Sequence, residues 1–309
     1  MKFQTLLLAA FVLVFSSATC LKSQTTEKPR ELLVSTDWLA ENLNDSSLIL
    51  LHYGMKSQFK KEHIPGARFV DIWEFLVENE QGLRNELPEK QDLEKALRSL
   101  GINNNSIIVI CYENADAIPR AARLFYTLDY AGLAGRVAVL QGGLKGWKLE
   151  DRPLTDKVGK IEPGHVAINI KESVRASREE VITGLQNEHV ILLDARPSER
   201  YYGSERDQNT DRQGHISGAV NLPYYKLTLE DSTCLFKGDA ALREALRDRN
   251  IREDSRIIVY CGTGIWASSV YFIARHLGYE VQMYDGSIQD WAMDSSLPIS
   301  KSSTNSSEF

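Results

Sequence analysis

The sequence predicts an α/β protein of two homologous tandem domains, each a parallel β-sheet flanked by helices, and three observations predict it. One is length, because 309 residues exceed what a single hydrophobic core usually serves. The second is repetition. His63-Ile-Pro-Gly-Ala67 returns as His215-Ile-Ser-Gly-Ala219, and Ile107-Ile-Val-Ile-Cys111 returns as Ile257-Ile-Val-Tyr-Cys261. Leu140-Gln-Gly-Gly-Leu-Lys-Gly-Trp147 is answered by Tyr284-Asp-Gly-Ser-Ile-Gln-Asp-Trp291, and the shift is nearly constant at about 150 residues. The third is alternation of short apolar runs with helical periodicity, which implies parallel strands covered on both faces.

In the first unit, 48–53 reads as a buried strand, 89–100 as an amphipathic helix, 106–111 as a strand, 119–130 as a helix and 137–140 as a strand. The second unit repeats this with 190–195, 240–249, 256–261, 267–277 and 281–284. Ser177-Arg-Glu-Glu180 fits a capping box opening its first helix. The expected boundaries are 31–154 for the first domain, 155–165 for a charged linker with Gly159 and Pro163, and 166–299 for the second domain. A Ser-rich disordered tail is expected over 300–309.

At the N-terminus, Met1-Lys2 precedes an uncharged run from Leu6 to Phe15 and the small residues Ser16, Ser17 and Ala18. That is the pattern of a secretory signal peptide over 1–20, too short for a comfortable membrane span. A mitochondrial presequence is the alternative, but it should be rich in Arg, and no Arg occurs before Arg30. The net charge of -6 leaves no basic footprint for nucleic acid or an anionic membrane. Cys20 falls in the removable segment, leaving Cys111, Cys234 and Cys261 too widely spaced for a disulfide framework or a metal knuckle. No metal and no cofactor is expected.

Cys261 stands where a central strand stops and a helix begins, the place at which open α/β sheets bind ligands. Gly262 and Gly264 lack Cβ, so the backbone between them can curl until successive N–H groups converge above a helix N-terminus. A thiol in that cradle is expected to have a lowered pKa and to attack as thiolate. Cys111, followed by Tyr112-Glu-Asn-Ala-Asp-Ala and no glycine, lacks such a nest and reads as structural. His63 and His215 recur in both halves, so they read as holding a turn; Trp147 and Trp291 read as core aromatics. Cys234 supports no specific role.

With these residues in place, the sequence resembles the tandem-domain rhodaneses, and among them the 3-mercaptopyruvate sulfurtransferases. The resemblance rests on the two His-Ile-x-Gly-Ala runs, Leu193-Asp-Ala-Arg196, the loop Cys261-Gly-Thr-Gly-Ile-Trp-Ala267, Tyr284-Asp-Gly-Ser287 and Trp291. It implies two rhodanese-like domains, the second catalytic, and sulfur transfer from a small-molecule donor through a Cys261 persulfide. The acceptor would be a thiol, cyanide or a thioredoxin-like protein. Thiosulfate-preferring members carry cations after the cysteine, whereas Gly262, Thr263, Gly264, Ile265, Trp266 and Ala267 are uncharged, which suits a monocarboxylate such as mercaptopyruvate. Thr263 stands at the family's serine position as a second catalytic residue, able to donate a hydroxyl hydrogen bond. Arg200 matches the first substrate arginine, alongside the loop residues 262 and 264–267 as the binding set.

Some features depart from the pattern. The second substrate arginine is replaced by Gln208, with Arg206 and Arg212 as neighbouring substitutes. Asn85 in Asn85-Glu-Leu-Pro88 stands where the family has a proton-relaying histidine, and Asn is neither acid nor base near neutrality. Trp266 replaces a small residue at the mouth. These departures leave a secreted rhodanese-fold binding module with impaired turnover as the alternative. A cysteine phosphatase is disfavoured, because Ala267-Ser268-Ser269 stands where its phosphate-clamping arginine is needed.

Overall fold

The computed structural model describes residues 31–230 and 233–301; the expected signal segment and the tail beyond Lys301 lie outside them. The first domain runs β1 (Leu33–Val34), α1 (Thr36–Asn42), β2 (Leu48–Tyr53), α2 (Lys56–Phe59), β3 (Arg68–Phe69), α3 (Lys90–Ser99), β4 (Ile107–Tyr112), α4 (Ile118–Tyr130), β5 (Val137–Leu140) and α5 (Gly143–Leu149). Its strands lie in the order β1-β5-β4-β2-β3, all parallel. The continuous apolar runs follow from that arrangement: every residue of β4 is buried, because helices cover both faces.

The second domain runs α6 (Arg178–Gly184), β6 (Val190–Asp194), α7 (Ser198–Tyr202), β7 (His215–Ile216), β8 (Val220–Asn221), α8 (Asp239–Arg247), β9 (Arg256–Tyr260), α9 (Ile265–His276), β10 (Glu280–Met283), α10 (Ser287–Trp291) and β11 (Ile299–Ser300). Its parallel sheet has the order β10-β9-β6-β8. The counterpart of β1 is reduced to a bridge between Arg175 and Met283. Ser177 and Glu180 form the expected reciprocal capping box at α6.

The repeat extends to individual contacts. His63 bonds the carbonyl of Phe59 through Nδ1 at 2.6 Å and stacks on its ring; His215 bonds the carbonyl of Tyr201 at 2.9 Å and stacks likewise. The indoles of Trp147 and Trp291 donate to the carbonyls of Pro153 and Pro298. Both pairs therefore pin the chain around a short helix or a domain end.

Two segments differ from expectation. Ser300 is not the start of a loose tail, since β11 pairs antiparallel with β7. Residues 164–165, expected to end the linker, and 166–171, expected to open the second domain, lie along the first domain instead: Gly164, His165, Ala167 and Ile168 donate to Arg98, Asn103, Asn104 and Glu94, and Val166 and Ile168 are buried. The connection is thus zipped along the first domain.

The halves meet through α4 and α9. Phe125 packs edge-on to Phe272 at 4.9 Å and Tyr126 to Tyr271 at 5.0 Å. Asp129, fully buried, accepts from Tyr271 Oη and Arg275 Nε at 2.8 and 2.9 Å. One apolar cluster runs across this seam from Ile49 to Met283.

Candidate active site

In the second sheet the strand order reverses between β6 and β9, so a crevice opens beyond their carboxyl ends. Asp194 ends one strand and Cys261 follows the other. Gly264, at φ +80°, is the N-cap of α9. That left-handed turn directs the backbone amides of Ala267, Thr263 and Trp266 onto the Cys261 sulfur. Trp266 and Ala267 occupy the first turn of α9, whose amides have no partner within the helix. A side chain at 264 would collide with Asp285 and Arg123 at 2.6 and 2.7 Å, so glycine is needed for both conformation and space. Ser287 Oγ fixes the loop from behind by accepting from the amides of Cys261 and Gly264 at 3.2 and 3.1 Å.

The nest is present, yet the electrostatics differ from expectation. Cys261 is 1% exposed, and burial pushes its thiol above the ordinary value against the pull of the three amides, with Asp194 adding to the rise. The lowered pKa expected from the loop is therefore corrected for this closed arrangement: desolvation outweighs the amides. Cys111, at the equivalent strand, is fully buried, and burial pushes its thiol up with no opposing amide. No disulfide joins Cys111, Cys234 and Cys261.

Arg200 lies 5.0 Å over the Trp266 ring, and Trp266 stacks on Tyr224 at 5.2 Å. One edge of the guanidinium meets Glu205 at 3.5 Å, while its buried Nε has no partner. The substitutes for a second arginine are not brought in. Arg206 is exposed and paired with Asp211; Arg212 donates to the carbonyls of Asp294 and Leu297 at 2.7 and 2.6 Å. Arg196 is structural, buried against Asp194, Asp207 and the carbonyl of Gly214.

Sequence reasoning missed how much of the site the first domain supplies. Asn85 Nδ2 donates to Thr263 Oγ1 at 2.8 Å. Arg123 of α4 forms a buried ion pair with Asp285 and donates to the carbonyl of Asn85. Arg84 Nη2 donates to Asn209 Oδ1 at 2.7 Å, and the Asn209 amide lies directly against Gly262. Of these residues the sequence singles out Asn85, through the family resemblance, and Asp285, within Tyr284-Asp-Gly-Ser287; Arg84, Arg123 and Asn209 carry no signal there. Clefts of about 420 and 450 Å³ lie away from the sulfur, one beside Glu113 and Lys145, the other beside Glu86, Arg175 and Arg178.

The rhodanese-like domain model matches residues 35–150 and 177–294. The 3-mercaptopyruvate sulfurtransferase of Escherichia coli is 30% identical over 86% of this chain and 96% of its own. The sulfur carrier protein TtuD of Thermus thermophilus is 31% identical over 88% and 97%. The crystal structure of SseA from Escherichia coli, a 3-mercaptopyruvate sulfotransferase by its description, superposes with a TM-score of 0.72 at 28% identity, covering 83% of this chain and 98% of that one. The chain belongs to the rhodanese family, with two rhodanese-like domains. Its full-length matches class it as a sulfurtransferase.

Proposed function

We propose that Cys261 takes sulfur from 3-mercaptopyruvate and passes it, as a persulfide, to a thiol, a thioredoxin-like protein or cyanide. The observation that carries this reading is the convergence of the Thr263, Trp266 and Ala267 amides on one sulfur. Such a cradle stabilises a thiolate and, once sulfur has been added, a persulfide anion. The Cys261 thiolate attacks the donor sulfur; an S–S bond forms as the C–S bond breaks, and the electron pair leaves as pyruvate enolate. The enolate takes up a proton, the outer sulfur releases its own, and an acceptor thiolate later attacks that sulfur and frees Cys261 as thiolate.

Arg200 supports the choice of donor. Its buried, unpartnered Nε beside the Trp266 ring suits one planar carboxylate. No cation occurs between Gly262 and Ala267 to meet a thiosulfate dianion.

Incubation with mercaptopyruvate should add one sulfur mass to Cys261, and mercaptopyruvate should outpace thiosulfate as donor. Cys261→Ser should abolish transfer; retained activity would sink the reading. A second reading, a rhodanese-fold binding module without turnover, is favoured by the sealed sulfur. Alkylation separates them, since a module leaves Cys261 no faster to react than an ordinary thiol. The secretory route remains part of the proposal, resting on the leader-like run between Leu6 and Ala18.

A further inference from the structure

We infer that Asn85 is a positioning residue for sulfur transfer: by donating its amide to Thr263 Oγ1, it turns the hydroxyl hydrogen away from the first domain and toward the reacting sulfur. The inference rests on the reading of Cys261 given above.

A hydroxyl offers one hydrogen and two lone pairs. With Asn85 Nδ2 at 2.8 Å, one lone pair is engaged and the hydrogen must point elsewhere. Among the described residues no protein acceptor takes it. The backbone amide of Thr263 already faces the Cys261 sulfur, so the hydroxyl belongs to a residue committed to that centre. An incoming thiol, persulfide anion or enolate oxygen is the electron-rich partner left for it.

The contact is held from both sides by one buried ion pair. Asn85 sits at φ +63°, a left-handed conformation that Asn tolerates better than most residues. Its carbonyl accepts from Arg123 Nη2, and Arg123 is paired with Asp285. The same two side chains fill the space against Gly264, the next residue after Thr263. Immediately before Asn85, the Arg84 amide donates to Gln289 Oε1 at 3.2 Å, and Gln289 Nε2 donates back to the Arg84 carbonyl at 2.9 Å. Neither end of the Asn85–Thr263 bond is free to drift. An amide exchanges no proton near neutral pH, so Asn85 sets a direction without acting as acid or base.

The experiment compares Asn85→Asp with Asn85→Ala in the full chain, reading kcat, KM for mercaptopyruvate and single-turnover sulfur loading of Cys261. Ionised Asp keeps the shape but accepts the hydroxyl hydrogen instead of donating to it, whereas Ala leaves water to fill the gap. Asn85→Asp should lower kcat about tenfold beyond Asn85→Ala, with KM little changed. The excess should vanish in a Thr263→Val background and persist with Thr263→Ser, which keeps the hydroxyl. Equal losses for the two Asn85 variants, or an excess that survives Thr263→Val, would overturn the positioning role and reduce Asn85 to an interdomain latch. If the unsubstituted protein itself takes no sulfur from mercaptopyruvate, the Cys261 reading fails instead, so the two failures are distinguishable.

Discussion

Gly264 and Gly278 share a backbone conformation and differ in what surrounds them. Their φ values are +80° and +85°, but only Gly264 is crowded, by Asp285 and Arg123. Gly278→Ala should cost about 1–2 kcal/mol in urea unfolding, the conformational penalty alone. Gly264→Ala should cost clearly more and slow sulfur transfer as well, because the loop must shift off the ion pair. The Cys-Gly-Thr-Gly loop was legible in the sequence for the same reason: a glycine beside a nucleophile states a backbone requirement locally. Asn209 was not, and Asn85 and Asp285 stood out only through the family resemblance, because nothing local distinguishes an Asn or Asp that reaches a distant loop from one that faces water.

At the scale of elements, the first turn of α9 carries Trp266, and α7 brings Arg200 over its ring. Arg200→Lys keeps the charge and loses both the planar fork and the stacking face. It should raise KM for mercaptopyruvate by about tenfold with kcat nearly unchanged, as expected when binding rather than turnover is weakened. Arg84→Ala should release Asn209 from Gly262 and quicken alkylation of Cys261; an unchanged rate would mean that this contact does not govern access. Regular elements were largely readable, since runs such as Ile107–Tyr112 are apolar throughout. The pairs β7 and β11 were not, because two residues carry no periodicity and are aligned by tertiary contacts such as Trp291 on Pro298.

Across the whole molecule, the seam places an acid where few charges belong. Glu86 is raised from 4.5 to about 8, chiefly by burial and then by Asp285, against the pull of Arg175 and Arg123, with Asp290 adding to the rise. Between those values the native state keeps a proton that the unfolded chain releases, so stability declines as pH rises through the window. Glu86→Gln should leave the thermal midpoint little changed near about pH 5 and raise it near about pH 8.5. An equal shift at both would mean that the carboxyl ionises normally. The doubled architecture was visible in repeated words such as His63-Ile-Pro-Gly-Ala67, whereas the seam was hidden: the apolar residues of α4 and α9 announce burial without naming the surface they meet.

A protein spelled twice invites the thought that half would suffice. The Arg123–Asp285 pair and the Asn85–Thr263 bond argue otherwise, since the copy without a glycine-lined reactive loop walls the loop of its sibling. Expressed separately, the C-terminal copy would keep its nucleophile but bare the aromatic flank of Tyr271 and Phe272 to solvent. Such a fragment should clump or recruit a stand-in for the missing copy, and any ancestor with one copy would have needed a different way to shield its sulfur.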